Sequence, residues 1–305
     1  MRSFSGTQAI TAGFRLIGRE PLAFLAWTVT YIVVCLLPQY AMMSIVLPAW
    51  TQAMQEIGAA GAHSGAVAPE GVFAMQAKML QLQPLVLLSS LVGHTLVVGA
   101  IYRAVLFPED RAALYLRLGR RELWLGLTML VLFVLLFILM FGLALVLAMV
   151  GGVIGVVSRA PQGLALMAPL AFCLVFGLLM WVGLRLSFAL PMSFSAPGFR
   201  LYESWAATRG LALKMFLVAL AFLVIAWLTE IVIAAVVLGL IGGLAGLDAL
   251  GVWVRHPHFD PRALAPWLVG GGLFLGLFST AFTTLVGAAW AEIYREAGPD
   301  EAPAT

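Results

Sequence analysis

LWLGLTMLVLFVLLFILMFGLALVLAMV, running from Leu123 to Val150, contains no charged residue from end to end. A helix needs about 20 apolar residues to cross roughly 30 Å of hydrocarbon, where only helices and closed barrels satisfy their own backbone polar groups. This stretch has residues to spare and is read as a transmembrane helix. Five others qualify: Pro21 to Val46, Pro84 to Phe107, Leu164 to Leu186, Leu213 to Gly239 and Pro266 to Ala289. The expected fold is all-α, a polytopic transmembrane helix bundle of about six spans. Pro38 should kink the first span, because it lacks an amide N–H and its ring crowds the carbonyl one turn back. That first run starts late and is too long for the apolar core of about 7–15 residues found in a cleaved signal peptide, so it is read as a retained helix.

Composition agrees with a lipid solvent. Of 305 residues, 63% are hydrophobic and 10% charged, against about 45–50% apolar and about 25% charged in soluble domains. The net charge is only +3 and the arginines are dispersed between apolar stretches, which argues against a nucleic-acid partner. Cys35 and Cys173 both lie inside apolar runs and form neither a disulfide framework nor a metal site. Arginine outnumbers lysine 15 to 2, an association with GC-rich bacterial genomes.

Lysine and arginine concentrate on the cytoplasmic side of short loops. One side of the six-span arrangement holds thirteen of them, among them Arg15, Arg19, Arg103, Arg117, Arg120, Arg121, Arg185 and Arg295; the other holds four, Lys78, Arg159, Arg255 and Arg262. Both termini are therefore expected in the cytoplasm of a bacterial inner (plasma) membrane protein, with residues 1–20 as an amphipathic helix, 21–290 as the six-helix domain and 291–305 as a tail. Phe4, Ile10, Phe14 and Ile17 supply the apolar face of the first segment. Arg111 to Arg121 repeats that chemistry, with Leu114, Tyr115 and Leu118 as the stripe of a second interfacial amphipathic helix. Outside, Gly58 to Gly71 reads as a mobile Gly/Ala-rich stretch, and Val72, Met75, Met79 and Leu82 as a short external helix.

Basic segments precede the odd spans, as in FRLIGREPL, LRLGRRELW and ATRGLALKM, and the even spans end on Arg103, Arg185 and Arg295. Two readings stand for this pattern. One is a threefold repeat of two-helix units; the other is convergence, because any inside-facing helix end attracts arginine.

An ionisable group at membrane depth is a functional hypothesis, since charging it there costs at least about 2.5–3.5 kcal/mol. His94 lies about 15 Å from the outer end of its span and Glu230 about 24 Å from the inner end of its own. Either they meet in a polar cavity, as a transporter or lipid-handling permease requires, or each is satisfied locally, His94 by Ser90 one turn back. Arg103 and Arg185, at cytoplasmic helix ends, and the cluster Arg117, Arg120 and Arg121 are lipid head-group or interface candidates. His256, His258 and Asp260 read as a solvated loop, with metal binding as the alternative. Small residues recur at four-residue spacing: Gly151 with Gly155, Gly242 with Gly246, and Gly272, Gly276, Thr280 and Thr284. They serve helix packing within the chain or a homo-oligomer seam.

YRAVLFPEDRAALYLRLGRRELWL (Tyr102 to Leu125), RLSFALP (Arg185 to Pro191) and SWAATRG (Ser204 to Gly210) resemble a group of bacterial inner-membrane proteins. That group is similar to the membrane domain attached to some glycerophosphodiester phosphodiesterases. The sequence lacks the soluble phosphodiesterase domain with its acidic and histidine residues, so the resemblance implies a membrane module without that activity. No HExxH, GxSxG or Walker pattern occurs. The expectation is a non-enzymatic envelope scaffold or accessory subunit with no cofactor, anionic phospholipid on its cytoplasmic face, and a membrane-protein partner or second copy beside it.

Overall fold

The computed structural model describes residues 4–61, 70–158, 161–245 and 261–298. His256, His258 and Asp260 lie outside these, as do the surroundings of Gly155, Gly242 and Gly246. Ten helices are described: α1 (Gly6–Arg19), α2 (Pro21–Tyr31), α3 (Leu37–Gly61), α4 (Glu70–Leu106), α5 (Arg120–Ser158), α6 (Pro161–Leu186), α7 (Ala189–Ser195), α8 (Leu201–Ala207), α9 (Ala212–Ala245) and α10 (Pro261–Ala297). Six helical stretches are long and apolar enough to cross a membrane. The chain is a multi-pass membrane helix bundle.

Several elements differ from the sequence reading. Pro38 falls in the first turn of α3, directly after a π-helical turn. Residues Ile32–Leu36 widen into a π-helical turn in which the Leu37 amide bonds back to the Ile32 carbonyl, joining α2 and α3 in one continuous run. That widening relieves the crowding a proline imposes on the preceding turn. The stripe Val72–Leu82 is not a separate helix but the beginning of α4. At about 1.5 Å per residue α4 is about 55 Å long, so α3 and α4, which pack on each other, have more length than the hydrocarbon layer requires. The last helix continues to Ala297, into the segment read as a tail.

Residues 111–121 are not an amphipathic helix. Ala113, Leu114 and Tyr115 all take positive φ (51°, 56° and 68°), forming a left-handed turn before α5 begins at Arg120. The expected stripe is split: Tyr115 is buried, whereas Leu118 is 76% exposed. α1 does form, capped by the Ser5 hydroxyl, which accepts from the Gln8 amide. The face it turns to the protein is Ala9, Ala12, Gly13 and Leu16, while Phe14 stays exposed.

Apolar side chains gain nothing by leaving lipid for protein, so close packing and polar ties between helices hold the bundle. α10 lies at its centre, against α1, α2, the π turn, α4 and α7. Its small-residue stripe is used within the chain: Gly272 faces the Tyr40 ring, Gly276 faces Ile32 and Leu36, and Thr280 and Thr284 are fully buried. Gly13 of α1 sits against the backbone of Leu285 and Thr284, and Gly93 of α4 against Cys35 in the π turn. Buried Thr128 of α5 donates to Ser193 of α7 at 3.0 Å, a tie that gains strength away from water.

A Cβ at Gly276 would run into the Ile32 side chain, while one at Gly270, a turn and a half earlier on the same helix, meets nothing. Gly276→Leu is therefore expected to cost about 1–3 kcal/mol or more through overpacking, read by denaturation in mixed micelles, with Gly270→Leu close to wild type. Equal losses in the two variants would refute the assigned contact.

Candidate functional site

Arg103 sits in the last turn of α4, where a cation is favoured by the helix dipole. It does not reach toward head groups: only 4% of it is exposed. Its Nη2 pairs with Glu122, which is 1% exposed, and its Nη1 donates to the Tyr115 carbonyl at 3.0 Å. Its Nε forms an ion pair with Asp110 Oδ2 at 3.3 Å without making a hydrogen bond. Glu122 is the third residue of α5, and its other oxygen accepts the Gly119 amide at 2.9 Å, the reciprocal arm of a capping box. One buried pair thus joins the end of α4 to the start of α5.

The segment between them is pinned at several further points. Trp27 of α2 donates from Nε1 to the Leu114 carbonyl at 2.9 Å, and its ring meets Tyr115 edge-on. Arg111 pairs with Glu20 at 2.8 Å, and Arg117 with Asp110 at 2.9 Å. Left-handed conformations cost non-glycine residues roughly 1–2 kcal/mol each, so the turn persists because these contacts over-determine it.

Above this network the arginine cluster is arranged around a depression of about 450 Å³ lined by Arg117, Arg120 and Arg121 together with Arg103, Asp110 and Leu118. Arg121 stacks over the Phe107 ring at 4.1 Å. Arg120 is exposed and has no partner among the described residues. Leu118, Gly119 and Glu122 also belong to a second, apolar cavity of about 410 Å³, cut between Leu91, Val92 and Thr95 of α4 and Leu123, Gly126 and Leu127 of α5. The two share these three residues, so an apolar groove between two long apolar helices adjoins a basic rim, and together they are called the α4–α5 cleft. Gly126 keeps its floor open, since a Cβ there would press on the Thr95 hydroxyl.

The other sequence candidates are placed apart from this cleft. Arg185 is half-buried, its guanidinium carbon 5.9 Å from the rings of both Trp181 and Trp205, while its carbonyl accepts from Ser204 at 2.9 Å. His94 bonds the Ser90 carbonyl through Nδ1 at 2.8 Å; a carbonyl only accepts, so Nδ1 carries the proton. Tyr31 packs edge-on to the imidazole at 5.4 Å and the Cys35 thiol lies 3.9 Å from it. Glu230 is exposed on the outside of α9 and makes no polar contact among the described residues. His94 and Glu230 are not brought together, and neither lines the apolar groove or its basic rim.

Sequence reasoning missed Glu122, Asp110, Tyr115 and Trp27. The available signal was the acid at Glu122 three residues after Gly119, a capping position that also lies one loop away from an arginine at a helix end. Among the described residues no group of histidine, cysteine and acidic side chains is placed to hold a metal. No protein-family model, curated protein or solved structure matches the chain, and the cleft's own chemistry is the guide to its role.

Proposed function

We propose that the chain is a non-enzymatic scaffold or accessory subunit of a bacterial inner membrane, that its basic end faces the cytoplasm, and that the α4–α5 cleft holds an anionic phospholipid. The reading rests on one observation, the adjacency of an apolar groove and a basic rim that share Leu118, Gly119 and Glu122. An acyl chain matches the groove and a phosphate matches the rim. The cytoplasmic orientation is supported by the one-sided distribution of arginine. Membrane-facing cations each attract anionic lipid by about 1 kcal/mol. Asp110 already engages Arg117, and Arg121 is stacked on Phe107, so the three together are expected to contribute nearer 1–2 kcal/mol, a roughly tenfold preference.

Native mass spectrometry of the detergent-purified protein tests this. Replacing Arg117, Arg120 and Arg121 with alanine should reduce retained anionic phospholipid about tenfold without changing zwitterionic lipid. Gly126→Leu, which fills the groove and leaves charge untouched, should reduce retention of both. Wild-type retention in both variants would remove the cleft as a lipid site.

A further inference from the structure

Tyr115 also lines a second cavity at the basic end, about 740 Å³ in volume, bounded by α1, the end of α4 and the end of α10. Ligand sites run to about 300–1,000 Å³. Its wall is mixed in charge, with Arg15, Arg19, Arg111 and Arg295 set against Glu20, Glu292 and Glu296. The pairing within it is incomplete. Arg111 engages Glu20 at 2.8 Å and Arg295 engages Glu292 at 2.6 Å, while Glu296 accepts the Ser5 amide at 3.0 Å. Among the described residues, Arg15 donates only to the Gln8 carbonyl, at 3.0 Å, and Arg19 has no partner. These two guanidiniums lie four residues apart on α1, where like charges are neighbours and repel unless an anion lies between them.

A polyanion entering here would face the carboxylates, and a simple cation would face the arginines. A zwitterion meets both requirements. Guanidinium groups recognise phosphate through paired N–H donors, and carboxylates keep acceptor sites free beyond a single ion pair. We propose that this cavity binds a zwitterionic phosphate, the phosphate between Arg15 and Arg19 and a protonated amine at Glu20 and Glu292. The ligand is either a free amino-alcohol phosphate or the head group of an aminophospholipid.

Calorimetric titration of the full-length protein in phospholipid-free micelles with O-phosphoethanolamine, ethanolamine and inorganic phosphate separates the components. If the ligand is free, phosphoethanolamine is expected to bind about tenfold or more tighter than either half. Arg15→Gln with Arg19→Gln should then weaken it by about tenfold to a hundredfold. If the ligand is a lipid, the free compound does not bind. Wild-type protein from mixed bilayers should then retain phosphatidylethanolamine in preference to phosphatidylcholine, whose quaternary amine donates no hydrogen bond, and the double variant should lose that preference. Arg19→Gln alone, at an exposed position without partners among the described residues, keeps the test open should the double variant not fold. The alanine variant of Arg117, Arg120 and Arg121 should leave these readouts unchanged. Inorganic phosphate binding as tightly as phosphoethanolamine, unchanged behaviour of the Arg15/Arg19 variants, or absence of both free and lipid binding would each overturn the proposal.

Discussion

Glu122→Ala is expected to lower the stability of the bundle by about 3–5 kcal/mol, the range for removing one partner of a buried ion pair. The loss comes less from the missing attraction than from what remains. Arg103 would stay in a site where it is only 4% exposed, keeping the Tyr115 carbonyl and the ion pair with Asp110. α5 would also lose the acceptor for its Gly119 amide. Replacing both members with apolar groups of similar volume, Arg103→Met with Glu122→Leu, should recover most of the loss, because a buried pair contributes little over a well-packed apolar substitute. Chemical denaturation of the two variants in mixed micelles decides between these accounts. If the double variant is as unstable as Glu122→Ala, the pair does more than satisfy itself, and the uncompensated-charge argument is wrong.

Trp27→Ala should produce a loss of similar size, about 3–5 kcal/mol, from the cavity left by a fully buried indole. It should also have a local effect that a cavity alone does not explain. The indole N–H holds the Leu114 carbonyl in the middle of the left-handed turn. Without that bond the turn should relax toward ordinary backbone angles. Trp27→Phe separates the two effects: it keeps most of the ring volume and removes the donor. Hydrogen exchange across residues 111–118 should then accelerate, while global stability falls by only about 1 kcal/mol. Unchanged exchange in this segment would mean that Arg103 and Tyr115 hold the turn unaided.

The spans were legible because hydropathy is a local property: an uninterrupted apolar run such as Leu123–Val150 must dissolve in lipid whatever surrounds it. The role of Gly272, Gly276, Thr280 and Thr284 was partly legible for the same reason, since small residues at helical spacing mark a close approach. The network around Arg103 was not. Nineteen residues separate Arg103 from Glu122, and an arginine at a helix end reads as a head-group anchor until the position of the acid is known. The left-handed turn was hidden for a different reason. Ala113, Leu114 and Tyr115 include neither glycine nor asparagine, the usual signals of positive φ, and their apolar spacing imitates a helix. Tertiary contacts from Trp27 and Arg103 override that local pattern. Glu230 shows the converse. A carboxylate inside an apolar run stands out in the sequence, but its position along the chain says nothing about which face of α9 the side chain occupies.

The docking of α1 on α10 bears on biosynthesis. Gly13 rests on Leu285 and Thr284, and Ser5 on Glu296, so most of the berth for α1 is made by α10, with α9 adding a smaller part. Translation at about 5–20 residues per second leaves an interval of some tens of seconds between the two. During that interval the small-residue face of α1 is unshielded, available to chaperones, to the insertion machinery or to another nascent chain. A ribosome that stalls before α10 would release a polypeptide in which α1 keeps only its smaller contacts with α9 and α2, giving quality-control proteases an accessible handle at one defined place.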